Sequence, residues 1–153
     1  MKKLLIVGML IATAFVANAA SFKWAVSGMT EMDGSTALSG SATLYAYLST
    51  ADASTAKVVD TQTMTDGVIS NTDAVFSDDS LAGGSTYKFY YTIVDSKGNS
   101  YVSATKATRA QATATVSLTF ATTGGTWTAV PEPTSALLMV LGIAGLALKR
   151  KRV

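Results

Sequence analysis

From residue 86 to residue 94 apolar and polar side chains alternate with a period of two. Tyr87, Phe89, Tyr91 and Ile93 fall on one side of an extended chain, and Thr86, Lys88, Tyr90 and Thr92 on the other. A strand has this period and a helix does not, so the segment reads as a β-strand with one face buried and one face wet. The pattern recurs. Leu44, Ala46 and Leu48 oppose Thr43, Tyr45, Tyr47 and Ser49, while Phe22, Trp24 and Val26 oppose Lys23. Between residues 112 and 120, Ala112, Ala114, Val116, Leu118 and Phe120 oppose four hydroxyl residues. Weaker strands are expected at 57–64, 74–76, 101–105 and 126–129. One-sided burial on seven or eight short strands predicts an all-β fold, a small antiparallel β-sandwich in which two sheets cover each other's apolar faces. Turns are expected at Gly83-Gly84, at Gly124-Gly125, and at Asp95-Ser96-Lys97-Gly98-Asn99, which closes a hairpin.

The alternation stops at both ends of the chain. Met1-Lys2-Lys3 precedes an uncharged run from Leu4 to Val16, and Ala17-Asn18-Ala19 follows. A cationic start, a short apolar stretch and small residues form the three-part secretory signal, with Ala17 and Ala19 placed for signal peptidase and the cut after Ala19. The apolar run is too short for a permanent span. Residues 1–19 therefore read as a signal helix that engages the secretion translocon, and residues 20–129 as the ectodomain. At the other end an uncharged stretch closes on Lys149, Arg150, Lys151 and Arg152. Residues 134–148 read as a transmembrane helix. It reaches only about 20–22 Å, against roughly 30 Å of hydrocarbon, so it crosses by thinning the bilayer or by snorkelling of the basic cluster. That cluster is the cytoplasmic stop, which leaves the body outside.

Charge and reactive side chains narrow the function. The chain carries a net charge of +2, but half of its twelve basic residues sit in the two terminal segments. Between residues 20 and 130 six bases face nine acids, and a weakly acidic body does not suit a phosphate backbone; no nucleic-acid partner is expected. With no cysteine and no histidine there is no disulfide, no thiol chemistry and no imidazole base. Asp78-Asp79 reads as a pair of solvated turn charges. Lys97 spoils the 95–99 turn as a calcium loop, because it stands where a further carboxylate would be needed. No enzyme activity, cofactor or metal is expected. Tyr45, Tyr47 and Tyr90 lie off the apolar faces and, on neighbouring strands, would offer a stacking surface for sugars.

Two resemblances add to this. Pro131-Glu132-Pro133, the apolar stretch after it and the terminal basic cluster resemble the PEP-CTERM sorting signal of Gram-negative bacteria over residues 130–153. The resemblance implies recognition by exosortase, a membrane protease-transpeptidase. It also implies export across the inner membrane, transient anchoring, and release to the cell surface or matrix as a structural or interaction protein tied to exopolysaccharide or biofilm. Leu81, Tyr87 and the 95–99 turn are similar to the tyrosine-corner region of immunoglobulin-like and fibronectin type III domains. That narrows the sandwich to an immunoglobulin/fibronectin-III-like or jelly-roll-like form.

Overall fold

A computed structural model of the protein describes residues 19–130 together with Met139 and Ile143. Apart from Ala19, Met139 and Ile143, the signal helix and the transmembrane helix of the sequence reading lie outside the described residues. Among those described, no helix is long and apolar enough to cross a membrane.

Among the described residues nine strands form two sheets. The smaller has the order β4-β1-β8, from β1 (Ala19–Val26), β4 (Val75–Ala82) and β8 (Val116–Phe120). The larger runs β3-β2-β5-β6-β9, from β2 (Gly40–Leu48), β3 (Lys57–Met64), β5 (Thr86–Val94), β6 (Ser100–Val102) and β9 (Thr126–Thr128). Strand β7 (Lys106–Arg109) also pairs with β5. The alternation has its physical counterpart in burial. Ala20, Phe22, Trp24 and Val26 of β1 and Tyr87, Phe89, Tyr91 and Ile93 of β5 all point into one core. Aromatic rings join the layers: Phe22 lies 5.0 Å from Phe89, Trp24 5.9 Å from Tyr91, and Phe120 meets Tyr91 edge-on at 5.3 Å. Such pairs add to the burial of their area. The one polar atom of Trp24 is satisfied at the rim, where its indole N–H donates to Asp60 Oδ2 at 2.7 Å.

Several expectations need correction. The sandwich is not purely antiparallel, because β8 runs parallel to β1 from Phe22↔Val116 to Val26↔Phe120. Strand β8 is also shorter than its alternation. Ala112 and Ala114 are exposed, since the chain at 110–112 is held instead against the 83–85 turn. There the Gly84 N–H donates to the Ala110 carbonyl at 2.8 Å, and a Cβ on Gly83 would stand 2.7 Å from Ala112 Cβ. Methyl groups bury too little area to compete with those bonds. Leu48, at the end of β2, is 45% exposed rather than inward. The expected strand 101–105 stops at Val102, and a separate strand, β7, begins only at Lys106. The Ser103 N–H donates to the Tyr91 carbonyl, but Ser103 Oγ accepts from the Tyr91 N–H at 2.9 Å in place of a backbone carbonyl. The hydroxyl thus completes the ladder across a bulge, and β7 resumes pairing beyond it. Asp78 and Asp79 are not turn charges but lie inside β4, an edge strand, where charge discourages pairing with another chain.

The Tyr87 hydroxyl reaches back across the turn that joins β4 to β5. Tyr87 Oη accepts from the Ala82 N–H at 3.0 Å and donates to the Ser80 carbonyl at 3.3 Å, with Leu81 buried beside it. This pins the crossover from the smaller sheet to the larger. The expected hairpin between β5 and β6 is present as well, with Gly98 at φ +88°, a conformation that costs glycine nothing.

Candidate functional site

The functional residues named from sequence fall into three groups. Ala17, the motif residues Pro131, Glu132 and Pro133, and the basic residues Lys149, Arg150, Lys151 and Arg152 lie outside the described residues. Ala19 is the first residue of β1, and Ala20 behind it is the first of the inward series. Tyr45, Tyr47 and Tyr90 lie together on the outer face of the larger sheet.

The three tyrosines are neighbours because β2 and β5 pair with Tyr45 opposite Tyr90. Their rings stack at 5.1 Å with 6° between planes, so each spends one face on the other. Tyr47 makes an edge contact with Tyr90 at 6.4 Å, and the Lys88 ammonium stands 5.9 Å from the centre of the Tyr47 ring. Burial, and then the Tyr45 and Tyr47 phenols, hold the Tyr90 hydroxyl above the ordinary phenol range. Nearby, where the sheets part between β3 and β4, a cleft of about 290 Å³ is lined by Ala46, Tyr47, Val59, Leu81 and Tyr87 and flanked by Lys57. Among the described residues no group of three or more His, Cys, Asp or Glu is placed to hold a metal ion.

The end of the chain's path through the sandwich carries more structure. Strand β9 adds to the edge of β6 through Ser100↔Thr128, Tyr101↔Trp127 and Val102↔Thr126. The Trp127 ring packs 5.2 Å from Tyr101, a core residue. Two residues beyond β9, the Val130 N–H donates to Asn99 Oδ1 at 3.1 Å. The other end of that amide is held as well: Asn99 Nδ2 donates to Asp95 Oδ2 at 2.8 Å. Asp95 is buried and fully occupied, its Oδ1 accepting from the N–H groups of Lys97 at 2.9 Å and Asn99 at 2.8 Å. Burial alone would raise its pKa, but the bonds from Asn99, Lys97 and Met32 outweigh that and hold the carboxyl below the usual range. The 95–99 segment, which in sequence is only a turn, is thus the anchor for the last residue before Pro131. Thirty-one residues separate the partners, so no local pattern in the sequence signals the link. The Lys97–Asp33 contact on its outside, at 3.8 Å and exposed, adds little.

Residues 129–152 match the family model of the PEP-CTERM protein-sorting motif. No curated protein and no solved structure matches the chain. The matched segment covers all three sequence elements, the Pro-Glu-Pro tripeptide, the apolar stretch and the basic cluster, and it begins at Ala129, one residue past β9. The chain therefore carries a PEP-CTERM protein-sorting motif, which marks an exported, exosortase-processed protein, and that motif follows directly on the last strand described.

Proposed function

We propose that the body is a non-enzymatic structural or interaction module. It crosses the inner membrane of a Gram-negative bacterium through the translocon and loses residues 1–19 to signal peptidase. It is then held by residues 134–148, with Lys149–Arg152 on the cytoplasmic side, until exosortase passes it to the cell surface or extracellular matrix. The observation that carries this reading is the position of the sorting motif, which starts where the sandwich ends. A cut after Ala19 suits the same picture, because it leaves the inward series from Ala20 to Val26 intact. A body without cysteine or histidine, with most of its aromatic residues in its own core, suits a cargo rather than a catalyst. N-terminal sequencing of exported material tests the route: the mature chain begins at Ala20, or at Ser21 if the cut falls one residue later. An intact Met1 on exported protein would overturn it.

A role in the exopolysaccharide matrix through direct glycan binding is the second reading, favoured by the assembly of Tyr45, Tyr47 and Tyr90 on one face. The mutual stacking of Tyr45 and Tyr90 leaves fewer ring faces for a sugar than three separate rings would. On this reading Tyr45→Ala weakens retardation of the protein in polysaccharide-containing gels without lowering its melting temperature by more than a few degrees. Equal mobility of both proteins, with and without polysaccharide, would reject it.

A further inference from the structure

We infer that the Asn99 side chain is a clamp that withholds the sorting motif from exosortase until it opens, so that the folded body sets the rate of its own processing. The inference rests on the sorting reading above and concerns how the motif is presented.

An enzyme that cuts or transfers at a peptide motif binds an extended strip, with residues on both sides of the motif free of other partners. Here the N-terminal side is not free. Residues 126–128 are paired in a sheet, Trp127 is packed on Tyr101, and Val130 is bonded through its N–H to Asn99. Pro131 follows at once and has no N–H of its own, so the Val130 N–H is the last backbone donor before Glu132. On the other side the predicted membrane segment begins at residue 134. The strip between the clamp at Val130 and that segment is only three residues long, and the four steps from residue 130 to residue 134 span no more than about 14 Å fully extended. A folded domain of about 110 residues, with a radius of gyration of about 13 Å and so roughly 34 Å across, is then held against the membrane with almost no slack.

The clamp is built to be firm yet releasable. Asn99 is oriented by Asp95, whose carboxylate accepts from its side chain and from its backbone, so the acceptor oxygen points at Val130 without searching rotamers. What it holds is one bond beyond a three-residue edge strand, which is the part of a sheet that opens with least disruption. Opening exposes no core residue, because Val130 is already 53% exposed.

The test is a pulse-chase of the full chain in a host that carries its exosortase, following conversion of precursor to product. Asn99→Ala removes the acceptor, and conversion becomes about fivefold faster, as the loss of one hydrogen bond of ordinary strength implies. Inserting Gly-Ser-Gly between Val130 and Pro131 supplies the missing slack without touching the fold. It accelerates conversion by a similar factor, and in that background Asn99→Ala adds nothing. A merely structural role for Asn99 predicts the opposite, an effect of Asn99→Ala that is independent of the insertion and tracks the melting temperature. Conversion of Asn99→Ala at the wild-type rate or slower overturns the clamp, as does an insertion without effect. The double substitution Pro131→Ala with Pro133→Ala separates this from failure of the sorting reading. If that variant is processed normally, the motif is not read at all; if it is blocked while Asn99→Ala is neutral, only the clamp fails.

Discussion

Phe89→Ala lowers the stability of the body by about 3–5 kcal/mol, while Lys88→Ala, the next residue along β5, changes it by no more than about 1 kcal/mol. The contrast follows from the pleat. Phe89 is fully buried between the layers, 5.0 Å from the Phe22 ring and 6.4 Å from Tyr87, and its removal leaves a cavity that flanking β-strands cannot collapse to fill. Lys88 points to the opposite face, where it loses only a distant contact with the Tyr47 ring. Since domains of this size are stable by about 5–15 kcal/mol, the alanine variant loses a large part of its margin. Urea denaturation of residues 20–130 measures both. Equal losses at the two positions would mean that the sheet faces have been assigned wrongly.

Which parts of the fold could be read from sequence depended on how much area each alternating residue buries. Strand β5 was plain because its inward series is aromatic and branched, so no other placement hides Tyr87, Phe89, Tyr91 and Ile93 together. The reading of 112–115 failed because alanine alternates with threonine at little cost in either environment, and bonds to the 83–85 turn decided the matter. At Ser103 a hydroxyl took the place of a ladder carbonyl, which moves the strand break to a residue that looks like any other polar position. Parallel pairing of β1 with β8 leaves no trace in either strand's own pattern. The sorting motif was the most legible feature, since all of its parts are contiguous. The anchor of that motif was not, because Asn99 and Val130 meet only after β6 and β9 have paired.

The second large effect concerns the motif itself. An ordinary membrane anchor needs apolar length and flanking positive charge, so replacing Pro131 and Pro133 by alanine leaves its retention unchanged. A motif that is read by an enzyme behaves differently. Each proline opposes helix by roughly 3 kcal/mol relative to alanine and confines its predecessor to extended backbone. Removing both allows helix to propagate back from the predicted membrane segment through Glu132, and the extended strip that a processing enzyme grips is lost. Replacing Lys149, Arg150, Lys151 and Arg152 by serine acts at another step. It removes the proposed cytoplasmic stop, so retention is expected to fall before processing begins.

The ratio of precursor to product for the Pro131→Ala, Pro133→Ala chain, followed in the native host with and without its exosortase, tests the central claim most directly. The account predicts that this precursor accumulates in the inner membrane even when the enzyme is present, matching the wild-type chain in cells that lack it. Processing and surface display at the wild-type level would contradict the account and leave the C-terminal segment as a plain anchor.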